Sequence, residues 1–220
     1  MRRVLAGFAL TVLLYGCAST DRPAPASESI HYGSRQTLHL CVLKSVSLSL
    51  RRAEAYLAQV RNDLVTYRLI LDVTWIHPWE QPGDGSAAIL ADLSQRPLDA
   101  PCDRIVALVD RTGAAFVSGL LLPEVSGEAD AATSTRGYIE LAYTAPNPFF
   151  RRAEDAAVLR FHALLGCTSS MSSNACEHRI AELKAATDPE SGFLPGITPD
   201  GAYLSTRADV NEALSPRRPR

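Results

Sequence analysis

The stretch Thr37 to Val46, TLHLCVLKSV, places apolar Leu38, Leu40 and Val42 two apart, with neighbours that are themselves partly apolar. That is the pattern of a strand buried on one face and half covered on the other. Ser49 then stands where a helix cap belongs, and Ala53, Leu57, Val60 and Leu64 recur at helical spacing while Arg51, Arg52, Glu54 and Arg61 take the opposite side. Tyr67 to Ile76, YRLILDVTWI, returns to period two, with Leu69, Leu71, Val73 and Trp75 on one side. Strand, amphipathic helix, strand is a βαβ unit, expected to be parallel and right-handed.

Outward from this unit the chain keeps alternating. Pro78, Pro82, Gly83 and Gly85 break it, and Ser86 to Ser94 predicts a short helix capped by serine. His77 sits beside Trp75, Pro78 and Trp79, an aromatic cluster that could line a groove but reads first as a loop packed on the sheet. Asp103 to Asp110, DRIVALVD, is a continuous apolar run bounded by charges, as in a central strand covered on both faces. From Arg111 to Thr135 the pattern predicts an edge strand around Phe116 to Leu122 and then a long surface loop. Gly137 to Tyr143 alternates as a strand, Arg151 to Gly166 carries a helical stripe, Ala175 to Ala186 is a further helix, and Thr206 with Asp209 opens the last one in a near capping box. The fold class expected is α/β: a mixed, mainly parallel twisted sheet of four to five strands with helices packed on it, formed by a single domain over residues 36–214.

The beginning of the chain is of another kind. Met1-Arg2-Arg3 precedes an apolar run, Val4 to Leu14, too short to span a hydrocarbon core of ~30 Å. Residues 1–16 therefore read as a signal peptide. The run ends Leu14-Tyr15-Gly16-Cys17, which resembles the lipobox of bacterial lipoproteins, with Tyr15 where a smaller residue usually stands. That resemblance implies cleavage before Cys17, a lipid on its thiol and a further fatty chain such as palmitate on its freed amino group. Ala18 occupies the place where an Asp would retain such a protein in the inner membrane, so the implied location is the cell envelope, on the outer membrane facing the periplasm. An ordinary secretory signal, or an apolar first helix with an incidental Cys17, stands beside this reading. Residues 17–35, with Pro23, Pro25, Ser27 and Ser29, lack any apolar period and read as a flexible tether. Residues 215–220 form a short basic tail.

Composition narrows the partners. Hydrophobic residues make up 46% and charged residues 21%, with a formal net charge of -2, so nothing electrostatic points to nucleic acid. The implied lipid makes the membrane itself a partner. Setting Cys17 aside leaves Cys41, Cys102, Cys167 and Cys176, an even set in a compartment where disulfides persist. Cys167 and Cys176 are near enough to close a small loop, and Cys41 and Cys102 then pair by elimination.

The order of elements from Thr37 to Ala186 resembles the metzincin branch of zinc metalloproteases, whose motif is H-E-x-x-H-x-x-G-x-x-H. The matching stretch is Leu159-Arg160-Phe161-His162-Ala163-Leu164-Leu165-Gly166-Cys167. With the register set on Gly166, Leu159 takes the first His place, Arg160 the Glu, Ala163 the second His and Ser169 the third. Leu cannot ligate a cation, and Arg would repel one. A second register starting at His162 keeps one ligand and puts Ala163 in place of the base and Gly166 in place of the second His. His162 could instead join Cys167, Cys176 and His178 as a tetrahedral zinc set, which makes it the metal candidate, although the spacing fits no common finger. His31 and His39 stand alone. Asp72, Asp103, Asp110, Glu124 and Glu140 are the acids available for a general acid–base pair. No Gly-x-Ser-x-Gly and no phosphate-binding Gly-rich loop occurs. The expectation is a non-catalytic module, a pseudoenzyme, that binds a protein, peptide or envelope component, with no resident cofactor. Its rival is an active membrane-tethered zinc hydrolase using His162.

Overall fold

The structure is a computed structural model that describes residues 30–83, 85–110, 127–141 and 157–215. Its first elements are β1 (Gln36–Ser45), α1 (Leu50–Leu64) and β2 (Leu69–Trp79), with β1 and β2 parallel. Ser49 caps α1, its side chain accepting from the backbone N–H of Arg52. After α2 (Ser86–Ser94) come β3 (Arg104–Asp110), β4 (Gly127–Ala129) and β5 (Arg136–Leu141). The five strands form one sheet in the order β2-β1-β3-β5-β4, parallel throughout except for the antiparallel pair β4–β5. This is the expected mixed, mainly parallel sheet with helices packed on it. The chain continues through a helical segment, 157–161, and a 3-10 turn at His162–Leu165 to α3 (Ser173–Ala185), the small hairpin β6 (Gly196–Ile197) and β7 (Tyr203–Leu204), and α4 (Arg207–Leu214).

Both faces of the sheet are buried, as parallel strands require. On one side Leu38, Leu40 and Val42 of β1, Val106 and Leu108 of β3 and Ile139 of β5 meet Leu57 and Val60 of α1, Phe161 and Leu164 before Gly166, and Ile180 and Leu183 of α3. On the other, Cys41, Leu43, Ile105 and Ala107 meet Ile89 and Leu93 of α2, Phe193, and Val210 of α4. Each such aliphatic side chain contributes roughly 1.5–3 kcal/mol on burial.

Several details depart from the sequence reading. The register of β1 on β2 shifts between Leu40 and Cys41, where Leu40 faces Val73 but Cys41 faces Trp75. This bulge turns Trp75 to the α2 side, away from Leu69 and Leu71. The strand also runs on past Ile76 through His77, Pro78 and Trp79, so the aromatic cluster is strand and not loop; Pro78 fits because β2 is an edge strand. Gly85, not a serine, caps α2, without a side-chain hydrogen bond. The described sheet edge is β4, inside the stretch read as surface loop, while the strand expected around Phe116 to Leu122 lies outside the described residues. So do the first turn of the helix expected from Arg151, all of residues 1–29, and residues 216–220. The C-terminal part of the expected tether is tied to the domain: Tyr32 stacks edge-on against Tyr67, and the Lys184 ammonium donates to the carbonyls of Ser34, Tyr67 and Arg68. Burial, with the Arg68 charge nearby, pushes that ammonium down to about 8.

Buried Arg104 could not be read from sequence. Its guanidinium, fully inside, donates to the carbonyls of Leu164, Asp103, Leu194 and Pro195. Burial lowers it to about 10, against the opposing pull of Asp103 and Asp130, so it remains a cation at neutral pH. It ties the 3-10 turn and the irregular segment preceding β6 to the sheet.

Candidate functional site

Three glycines let the backbone of 160–166 lie close over the β4–β5 edge. A side chain at Gly127 would press on Tyr138 O and Arg160 Cβ, and one at Gly137 would strike Glu128 O and Leu164. Gly166 takes φ +80 after the 3-10 turn, its N–H and that of Cys167 bonding back to Ala163 and His162. There the chain swings outward, and a cleft of about 470 Å³ opens between β4 and the returning segment. Its walls include Glu128, Asp130, Arg160, Ala163, Cys167 and Ser169, with Arg179 of α3 and Thr198 closing the far side.

The described chain ends the sheet at β4, and in an antiparallel pair every second residue turns its N–H and C=O away from its partner. Among the described residues the cleft therefore runs beside a strand edge. Its floor is rigid. The buried Asp130 carboxylate accepts from Thr133 N–H and O–H, Thr135 N–H and Arg136 N–H, and the Ile197 N–H binds Thr133 O. That network leaves Asp130 little capacity for a ligand, and the Thr198 hydroxyl is likewise engaged by Asp200 and Ala202, so the polar side chains that face the cleft with fewer commitments are Arg160, Glu128 and Ser169.

Of the four places in the zinc motif registered on Gly166, Arg160, Ala163 and Ser169 line the cleft, and Leu159 is 63% exposed. No pair of nitrogen, carboxylate or thiolate donors stands among them, so the residues present do not fit a catalytic zinc. The second register fares no better, because His162 is turned inward. Its Nε2 lies 2.7 Å from Asp63 Oδ2 on α1, and its ring packs edge-on against Tyr67. The four-residue zinc set is also broken: Cys167 and Cys176 form a disulfide with Cα atoms 5.1 Å apart, and His178 is exposed. Cys41 and Cys102 form the second bridge, Cα atoms 5.7 Å apart. Among the described residues no group of three or more His, Cys, Asp or Glu is placed to hold a metal.

The candidate acids do not converge. Asp72 pairs with His39, Asp110 with Arg52, and Asp103 is buried against Arg207 and the His39 N–H, its carboxyl raised by that burial. Glu140 is partly buried on β5, and Glu124 lies outside the described residues. His77 stacks on Trp75, and His31 accepts from the Gly33 N–H. Sequence reasoning missed Asp63, Glu128, Asp130 and Arg179. A lone acid at a helix end carries no mark that distinguishes it from a solvated charge.

No protein-family model matches the chain, and no curated protein sequence matches it. Among solved structures the chain is similar to the archaemetzincin from Methanopyrus kandleri, with a TM-score of 0.41 and 13% identity, over 68% of this chain and 94% of that one. At that distance the similarity carries no inference about chemistry.

Proposed function

We propose that the chain is an envelope lipoprotein, cleaved before and acylated on Cys17, whose α/β domain holds an extended peptide or protein segment in the cleft without cutting it. The observation that carries this is the cleft itself: a strand edge beside Arg160, Ala163 and Ser169, in the places where a hydrolase of the resembled family would keep its base and two of its ligands. An extended segment laid along β4 would gain main-chain hydrogen bonds, and the cleft side chains would select among its residues. Residues 17–29 would link the lipid to the domain. The zinc-hydrolase alternative lacks a ligand set, since His162 is committed to Asp63 on the far side of the helix.

Hydrogen exchange tests the binding site. Pooled extended peptides added to the full chain should slow exchange at Gly127 to Ala129, and Ala163→Trp, which fills the cleft, should abolish that protection. Peptide hydrolysis that stops with a chelator would overturn the non-catalytic reading. Labelled palmitate incorporated by the wild-type chain but not by Cys17→Ser supports the anchor; equal labelling refutes it.

A further inference from the structure

The side chain behind the cleft wall is a disulfide in an unusual setting. Cys167 lines the cleft, while its partner Cys176 sits in the first turn of α3 with its Sγ 3.9 Å from His162 Nδ1. His162 is 5% exposed and bonded through Nε2 to Asp63. A carboxylate can only accept, so Nε2 carries the hydrogen and the remaining ring nitrogen faces sulfur. Among the described residues Nδ1 has no oxygen or nitrogen partner. Sulfur, imidazole and carboxylate thus stand in line, the order that activates a thiol in nucleophilic sites.

We infer that Cys167–Cys176 is a redox-active disulfide that exchanges with a dithiol protein or peptide entering the cleft. The incoming thiolate attacks Sγ of Cys167, the bridge residue that lines the cleft. A new bond forms between those two sulfurs, the Cys167–Cys176 bond breaks, and its electron pair leaves on Cys176 Sγ. The proton given up by the incoming thiol reaches His162 Nδ1 through solvent, and the imidazolium so formed stabilises the departing thiolate, as does the N-terminal end of α3. The partner's second thiol then attacks its own sulfur in the mixed disulfide. Cys167 is released as a thiol and the partner leaves oxidised, two electrons having passed to the bridge. Asp63 is a positioning residue that orients the ring. This exchange needs a partner thiol to reach the cleft, but not a segment held along β4, so it can stand or fall apart from the peptide-holding reading.

The second bridge is an internal control. Cys41 and Cys102 are 0% and 5% exposed while Cys167 is 9% exposed and Cys176 only partly buried, so access by itself favours opening of Cys167–Cys176, and the His162 and Asp63 variants carry the test. The full chain, with both bridges formed, is exposed briefly to reduced dithiothreitol, trapped with iodoacetamide and mapped by peptide mass. Cys167–Cys176 should open at least tenfold faster than Cys41–Cys102, and His162→Gln and Asp63→Asn should each slow it about tenfold without changing the other bridge. Equal rates for the two bridges, or an unchanged rate in His162→Gln, would overturn the inference. If those variants fail to fold, Cys167→Ala leaves Cys176 as a free thiol beside His162. Its alkylation at pH 6 should run at least tenfold faster than that of Cys167 in Cys176→Ala, and equal rates overturn the inference as surely.

Discussion

Asp63 and His162 meet across 99 residues of sequence, Oδ2 to Nε2 at 2.7 Å, and so join the C-terminal turn of α1 to the helical segment that walls the cleft. The His162 ring is almost wholly buried while the Asp63 side chain keeps 29% of its exposure. Water can therefore compensate the carboxylate but not the imidazole. Asp63→Ala should cost about 2 kcal/mol by stranding a buried N–H, and His162→Ala a similar amount. In urea unfolding the double variant should cost less than the sum of the two; strict additivity would show that the pair is not coupled.

Arg104 should be the costlier loss. Arg104→Met keeps much of the volume but leaves the carbonyls of Leu164, Leu194 and Pro195 without a donor, a destabilisation of about 3 kcal/mol or more. Arg104→Lys, a single ammonium in place of a planar fork, should fall between Met and wild type. Denaturant midpoints within error of wild type for Arg104→Met would contradict this account.

Gly166 combines two constraints. At φ +80 any other residue is strained, and its Cβ would collide with Ile197 Cδ1. Gly166→Ala should lose roughly 1–2 kcal/mol from the backbone alone, with the collision added. Shortening the neighbour by Ile197→Ala should relieve only the steric part. Thermal melts of the single and double variants separate the two terms.

Tyr67 makes stability fall in alkali. Burial first, and then the nearby Asp63, Glu177 and Tyr32 charges, push its phenol up to about 12 from an ordinary 10. The folded state thus holds the proton more tightly than the unfolded chain. Its contribution is complete below pH 10 and is lost as pH rises through about 12. Tyr56, buried with its hydroxyl on Ala157 O, shifts the same way. Tyr67→Phe should flatten the loss of stability between pH 10 and 12, read from urea midpoints taken promptly after the pH jump.

The two bridges should differ in what they contribute to stability. Cys41–Cys102 spans 61 residues and Cys167–Cys176 only 9. On the chain-entropy argument, replacing both cysteines by alanine should cost about 4 kcal/mol for the first and about 2.5 for the second. Equal costs would point to native packing, not loop closure, as the source.

Much of the scaffold was legible because it is local. Ser49 before Leu50 and Thr206 with Asp209 mark helix starts through bonds spanning three residues, and both caps form. The period-two runs name the strands, and the apolar run of β3 announces a strand covered on both faces. Trp75 was misplaced because a bulge is a mismatch between two strands, invisible in either alone. β4 was missed because three residues rich in Gly and Ala carry no alternation; the strand exists through its pairing with β5. Arg104 and Asp130 look like surface charges in sequence and are buried because backbone groups from distant segments converge on them.

By itself the sequence determined the βαβ unit, the α/β class, the four cysteines that bridge, and that Leu159, Arg160, Ala163 and Ser169 do not make a zinc-ligand set. Such properties follow from periodicity and side-chain chemistry, which need no partner. Only the tertiary structure decided which way His162 faces. It lies one position from Ala163 on the 3-10 turn, yet Ala163 opens on the cleft and His162 points inward to Asp63 and Cys176, because successive residues of such a turn leave it about 120° apart. Which of those directions meets solvent and which meets a carboxylate depends on what the rest of the chain has packed there.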